Sequence, residues 1–578
     1  MDNNRLLIAI LAVMGVLFLY QELLQWRYPD QYGPHSKQAQ ALKGAHSGAA
    51  GPAAGTSNVG PETAGGPAGS TSLSGGATGN AVQGSAAGTP NGPRSAPNET
   101  ARTITVETNL YRAVLTTHGG RLLHFSLNDY RETVAPNSPA YEMIRPSDRP
   151  PMGLLMETGG TTVDDGDVDY ASTAASEIEA TPGEPATVTF EGATKDGMKL
   201  RKTFTFRDST YVFDLNAEVT PAGGAVASGV GLIMSQPLTE LSGYRDYPTL
   251  QALVKGKAWS EGEKPLEKGV PPVSGQITYA GFGDRYFLAV FLPQQPKIGT
   301  LTMDYAGVAA DAGLLFPGTN TVTSRVYMGP KELDILEAVN PALSKAIDLG
   351  LWGVIALPFL RALKLFYRVA PNYGVAIILL TVVVRLITLP MGIKGQRSMM
   401  KMQRLQPQVE RIREKFKDDQ ERLNKEMVEL YKRNHVNPLG GCLPMVIQFP
   451  VFIGLYEALL NAIELRHAPF IGWIRDLSAP DCLPIRGMPA IPFTNLHGIP
   501  VLVILMTVTA FVQQWISPRQ PDPNQQKMMM YMPVVFSLIF LQLPAGLSLY
   551  YFASNLLGVV QQFVLNREFK QYTPVTTT

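Results

Sequence analysis

The chain has 578 residues, 45% of them hydrophobic and 17% charged, with 49 Lys+Arg against 48 Asp+Glu and a formal net charge of +1. That length exceeds one ordinary domain, and the near-neutral balance excludes a global basic field, so DNA is not an expected partner. Two cysteines, Cys442 and Cys482, and seven scattered histidines without ligand spacing exclude a disulfide scaffold and a metal centre; no cofactor is expected. A mean hydropathy of +0.02 suits a chain that is part membrane and part soluble.

In chain order, residues 6–20 (LLIAILAVMGVLFLY) form a short apolar run behind Arg5. The following QELLQWRY offers no small-residue cleavage site. Residues 1–26 are therefore expected to remain as an uncleaved signal anchor with its N-terminus inside. Residues 27–100 are rich in Gly, Ala, Ser, Thr and Pro. They lack the apolar side chains that would offset the entropy of ordering, and a flexible linker is expected.

Over residues 101–335 the pattern changes to period two. Met198, Leu200, Lys202, Phe204 and Phe206 alternate with Lys199, Arg201, Thr203, Thr205 and Arg207, and Tyr211, Phe213, Leu215 and Ala217 repeat the alternation. Asp196-Gly197 and Asp208-Ser209 stand where hairpin turns belong. Further strands are expected near 103–108, 112–117, 187–191, 229–234, 299–305 and 320–328. The spacing predicts an all-β domain, an antiparallel sandwich. No nucleophile elbow, phosphate loop or paired-acid motif marks it as an enzyme, which favours a binding or scaffolding module.

Within residues 336–370, Arg361, Lys364 and Arg368 recur at helical spacing among Trp352, Pro358, Phe359, Phe366 and Tyr367. This composition predicts an amphipathic helix lying on the membrane surface over 351–369. Residues 371–391 then contain YGVAIILLTVVVRLITLP, long enough to cross a bilayer. Arg385 interrupts this run roughly 18 Å below Tyr373, at about 1.5 Å per residue. A guanidinium in that position costs roughly 2.5–3.5 kcal/mol on insertion scales. Thr381 and Thr388, at i−4 and i+3, share its face. Either Arg385 snorkels to the headgroups, or it faces a wet cavity inside a helix bundle.

Residues 392–438 are strongly basic. Met399, Met402, Leu405, Val409, Ile412 and Phe416 repeat at helical spacing, and after a polar turn Leu423, Met427, Leu430 and Tyr431 do the same. A cytoplasmic helical hairpin is expected. Its charged face is either simply solvated or, through Arg404, Arg411, Arg413 and Lys415, docks an anionic partner such as ribosomal RNA. Keeping this basic segment inside requires the 351–369 helix to lie flat.

Within 439–566, apolar stretches at 441–462, 497–516, 528–543 and 547–565 read as further spans, with 567–578 as a short cytoplasmic tail. This makes about six crossings with both termini inside. Glu457 and Glu464 sit toward the outer end of their helix, so an ion pair with Arg385 is not expected. Gln448, Gln513, Gln514, Ser517, Gln561 and Gln562 fall at the inner depth, Ser537 and Gln542 farther along, and Ser554 and Asn555 mid-span. A lone cation among such groups predicts a hydrated, inward-open pocket that attracts negative charge.

The runs VNPLGGCLPMVIQFPVFIGLYEAL, NYGVAIILLTVVVRLITLP, QQKMMMYMPVVF and PAGLSLYYFASNLLGVVQQ resemble the YidC–Oxa–Alb family of membrane protein insertases over about residues 350–570. The anchor, linker and β-domain resemble its Gram-negative branch. The resemblance implies a monomeric, multi-pass bacterial inner-membrane insertase or chaperone with a periplasmic β-sandwich, a cytoplasmic hairpin and a polar groove. In that groove Arg385 would be the cation, Thr381 its neighbour, and Tyr550 and Tyr551 would meet the incoming segment, beside the candidate groove residues Gln448 and Ser537. Nascent inner-membrane proteins, the lipid bilayer and the Sec translocon are the implied partners. After Asn566 only Arg567 and Lys570 are basic, which moves any ribosome contact to the hairpin. The alternative is a secondary transporter for a small anion, but the internal repeat this predicts is not found in the sequence. A membrane-tethered cell-wall or carbohydrate-binding protein would leave Arg385 unexplained.

Overall fold

The computed structural model describes residues 101–571 apart from 222–227, 239–246, 307–308, 418, 437–442, 486–493, 495 and 518–522. The expected signal anchor and linker, most of the tail, and Cys442 lie outside the described residues.

The alternating stretch forms the hairpin Lys199–Phe206 and Val212–Thr220, with Phe206 opposite Phe213 and Phe204 opposite Leu215. Its flanking turns place Gly197 at φ 80° and Ser209 at φ 61°. Thirteen strands form one continuous sheet, from an edge at Thr161–Asp164 to an edge at Ala186–Ala193. The sheet folds over at the 14-residue strand Val270–Gly283. The first half of that strand pairs with Ile298–Ala306, and the second half with Thr249–Val254 and Phe287–Gln295. A strand that changes partners along its length makes the corner between two layers. Gly281, at φ 159°, is needed there because any Cβ would run into the Ala289 carbonyl. A second, five-stranded sheet packs on the first, with Phe125 6.0 Å from Phe213 and Tyr111 6.4 Å from Phe206.

The domain is all-β, as the period-two pattern predicts. Among the described residues it departs from a purely antiparallel plan at one place, where Glu177–Glu179 runs parallel to Thr103–Glu107. Strands Phe287–Gln295 and Ala309–Pro317 escape the sequence pattern because residues on both of their faces are buried. No alternation survives in such strands.

Lys202, on the inner face of its strand, is fully buried, as is Asp165. The Lys202 ammonium lies 2.5 Å from Asp165 and donates to the carbonyls of Gly119 (2.8 Å), Gly120 (3.2 Å) and Met152 (2.9 Å). Asp165 also accepts from Arg121 (3.2 Å), the Tyr170 hydroxyl (2.8 Å) and the Leu154 N–H (2.9 Å). Burial lowers the Lys202 pKa to about 8 despite Asp165. Burial would raise the Asp165 carboxyl, but Lys202 and Arg121 outweigh it and hold Asp165 below the usual carboxylate range.

The chain leaves the β-domain through α1 (Leu333–Val339) and continues as α2 (Gly353–Val369), α3 (Tyr373–Arg404), α4 (Gln406–Lys415), α5 (Gln420–Arg433), α6 (Leu443–Leu460), α7 (Val501–Ile516), α8 (Pro523–Phe540) and α9 (Ala545–Gln571). The amphipathic helix expected over 351–369 is α2. Its cations have partners on α1 and just beyond α6. Lys364 reaches Glu332 at 3.0 Å, Asp334 at 2.6 Å and Glu464 at 3.5 Å, while Arg361 pairs with Glu337 at 3.1 Å.

The α3 helix begins at Asn372, whose side chain accepts from the Val375 N–H at 3.2 Å. It runs 32 residues, through Pro390 and past the expected boundary at 391. Among the described residues it is the one helix long and apolar enough by itself to cross a membrane; apolar runs in α6, α7 and α8 are shorter. The periodic pattern from Met399 to Phe416 is shared by two helices, because the chain breaks at Leu405 before α4, which carries Pro407 in its first turn. The second arm follows as α5, with the Asp419 side chain accepting from the Arg422 N–H at 3.0 Å.

A buried side chain outside α7 caps its N-terminus: Asp481 accepts from the N–H groups of Leu502 (2.5 Å) and Val503 (3.4 Å) and from the Trp473 indole (2.8 Å). The loop after α6 also touches the β-domain, where Arg466 lies 5.0 Å from the Tyr141 ring and 5.4 Å from Phe287.

Candidate functional site at the α3–α9 seam

Arg385 projects from α3 into the bundle. Its Nε donates to Ser554 Oγ at 3.0 Å and its Nη2 to the Ser554 carbonyl at 2.6 Å. The guanidinium thus crosses to α9 and does not snorkel along its own helix. Among the described residues, the ionisable groups that act on its charge are Tyr550 and Tyr551, and no carboxylate pairs with it. Its charge is solvated by a hydroxyl and a peptide oxygen but is not neutralised.

Tyr550 stands one turn before Ser554 on the same face of α9. Its ring is buried, and its hydroxyl accepts from Gln448 Nε2 of α6 at 2.9 Å. Tyr551 meets Tyr550 edge-on at 5.3 Å and packs on Phe452 of α6 (5.4 Å) and Phe540 of α8 (5.0 Å). Arg385, Gln448, Tyr550 and Tyr551 therefore converge, with Ser554 as the direct partner of the cation.

Two candidate residues stand apart from that group. Thr381 is fully buried and spends its hydroxyl on the Ile377 carbonyl of its own helix at 2.7 Å. Thr388 does the same toward Val384 at 3.0 Å. These i−4 bonds satisfy the hydroxyls locally, so the hydroxyl that meets Arg385 comes from Ser554. Ser537, half-exposed on α8, donates to the Val534 carbonyl at 2.7 Å and not to the seam. Arg404 ends α3, and Arg411, Arg413 and Lys415 lie on α4. At about 1.5 Å per residue, Arg404 is roughly 28 Å along the helix from Arg385.

Sequence reasoning missed Gln396. Assigned to the hairpin, it instead belongs to α3 and bonds both Gln562 (2.7 Å) and Gln561 (3.2 Å) of α9. The spacing of Arg385, Thr388, Gly392 and Gln396 on one helical face is the signal that could have found it.

The family described as 60Kd inner membrane protein matches residues 365–572, and the YidC periplasmic domain matches residues 103–362. The membrane protein insertase YidC of Syntrophus aciditrophicus is 36% identical over 486 residues, covering 81% of this chain and 86% of its own. The YidC insertase of Pelobacter propionicus is 36% identical over 503 residues, covering 83% of this chain and 89% of its own. A solved structure of a YidC insertase with its first transmembrane domain resolved is similar over 82% of this chain and 94% of its own, at a TM-score of 0.36 and 18% identity. The chain belongs to the YidC family of membrane protein insertases. Membership in the YidC family makes it an inner-membrane protein whose all-β domain is the periplasmic one. The boundary between the two YidC family matches falls inside α2, beside Lys364, the residue that gathers carboxylates from both sides of that joint.

Proposed function

We propose that this chain inserts membrane proteins, drawing short hydrophilic tails across the bilayer along the α3–α9 seam and releasing apolar helices sideways into lipid. The observation that carries this reading is Arg385, bonded to Ser554 but to no carboxylate among the described residues, at the centre of converging polar groups from α3, α6 and α9. Such a cation attracts acidic residues of an incoming tail, and a hydrated, inward-open groove lowers the cost of desolvating polar backbone. Lipid contact is supported by the exposed apolar side chains Leu386, Ile387, Trp515, Leu538 and Phe563 on α3, α7, α8 and α9. Partition of a new helix into lipid, at roughly 25 cal/mol per Å² of apolar surface, supplies the driving force. A potential positive outside adds about 2.3 kcal/mol per acidic charge per 100 mV.

In this reading the protein makes and breaks no covalent bond and works as a monomer, alone or beside the Sec translocon. The signal anchor and five helices of the core cross the membrane, about six in all, with both termini in the cytoplasm. The α2 helix lies at the outer interface. The α4–α5 hairpin lies in the cytoplasm, where Arg404, Arg411, Arg413 and Lys415 can dock the ribosome.

The test is protease protection of a single-span substrate with an acidic N-terminal tail, added to liposomes holding only this purified protein. Protection above empty liposomes by the wild type, lost in Arg385→Ala, supports both insertion and the role of the charge. Protection no better than empty liposomes rejects autonomous insertion.

A further inference from the structure

Past Arg385 the seam continues toward the C-terminal ends of α3 and α9 as a row of carboxamides. Gln561 Nε2 donates to Gln396 Oε1 at 3.2 Å, and Gln396 Nε2 donates to Gln562 Oε1 at 2.7 Å. Gln562 Nε2 then donates to Asn566 Oδ1 at 2.8 Å, and Asn566 Nδ2 to the Ile516 carbonyl of α7 at 3.2 Å. Gln562 is 1% exposed, while Gln396, Gln561 and Asn566 are half-buried. Glycines let neighbouring amides lie close against the helices: a Cβ on Gly558 would lie 2.6 Å from the Gln513 amide, and one on Gly392 would lie 3.4 Å from that of Gln561.

A carboxamide carries the same donor and acceptor groups as a peptide unit. Gln396 and Gln562 each use one N–H and the oxygen within the row, and Gln561 uses one N–H, so each keeps a further N–H and a further lone pair. Bonds of this kind exchange one for one with those of a backbone in transit, so no polar group is stranded in a water-poor setting. The spacing also fits. Ser554, Gly558, Gln562 and Asn566 recur every fourth residue, a rise of about 6 Å per step. Groups on one side of an extended strand recur about every 6.7 Å.

We propose that Gln396, Gln561, Gln562 and Asn566, with Gln513, form a binding site for the uncharged, extended backbone of a polypeptide in transit. This rests on the insertase reading above and divides the labour of the seam: Arg385 reads negative charge, and the carboxamide row reads peptide groups whatever their sequence.

The experiment uses the full chain in liposomes and two single-span substrates that differ only in whether the tail carries acidic residues or serine and asparagine. The wild type protects both tails. Arg385→Ala loses the acidic tail and keeps the neutral one. The double variant Gln396→Leu/Gln562→Leu loses the neutral tail about fivefold or more, the scale of one or two hydrogen bonds, and the acidic tail less than about twofold. Gln561→Leu, at a half-buried position, moves the neutral tail the same way by a smaller factor and guards against misfolding of the double variant. A photoreactive residue in the neutral tail cross-links to 554–566 in the wild type and not in the double variant. Equal loss of both tails in the glutamine variants, or an unchanged neutral tail, makes the row helix packing only and overturns the proposal. If the wild type protects neither tail, the insertase reading fails first and takes this site with it.

Discussion

Lys202 and Arg385 both lie away from bulk water, and their surroundings are opposite. In the β-domain, Lys202 meets a fully buried carboxylate and three carbonyls, and Arg121 shares that carboxylate. In the helical core, Arg385 meets one hydroxyl and one carbonyl of Ser554. The first arrangement cancels the charge and fixes strands to each other. The second solvates the charge without cancelling it, leaving it responsive to an arriving anion. We read the compensated charge as part of a scaffold and the uncompensated one as the candidate site.

The comparison breaks most sharply at Asp165. Asp165→Ala leaves Lys202 and Arg121 buried without their shared partner, and should destabilise the β-domain by about 3–5 kcal/mol, measured as a fall in the denaturation midpoint. The pH dependence sharpens the point. The folded Asp165 carboxyl sits below its ordinary value, so its stabilisation is full above the ordinary carboxylate range and is lost as pH falls through that range toward the folded value. Asp165→Asn should therefore flatten the acid limb of the stability curve as well as lower its plateau.

The joint between the regions comes next. Lys364→Met leaves Glu464 and Glu332 without their shared cation and should cost about 1.5–3 kcal/mol, the scale of hydrogen bonds to charged groups. Spin-label distances between the β-domain and α6 should broaden in that variant and stay narrow in Lys364→Arg.

At Arg385 the effect should appear in function and not in stability. Arg385→Ala strands no carboxylate, so the midpoint should move by less than about 1 kcal/mol, while protection of an acidic tail falls about tenfold. A large loss of stability there would contradict the contrast between the two cations. Ser554→Ala should have the smallest effect: it removes one hydroxyl contact worth about 1 kcal/mol and leaves the Ser554 carbonyl in place. Arg385 is then less constrained, and acidic-tail protection should hold or rise slightly.

Local pattern alone determined several features of this protein. The hairpin at 199–220 was legible because residues on one face are buried and those on the other are wet, which writes period two into the chain. The α3 helix and its lone Arg385 were legible because an apolar run of that length with one charge has few physical readings. The tertiary structure decided what those local rules could not reach. Strands 287–295 and 309–317 are buried on both faces and so lose their alternation. Pro390 reads as a helix end, yet α3 continues through it packed against α9. The partner of Arg385 lies 169 residues away, and Gln396 joins the seam only because two helices run side by side. A charge shows in the sequence, but what surrounds it is set by which distant segments the packing brings to the same depth.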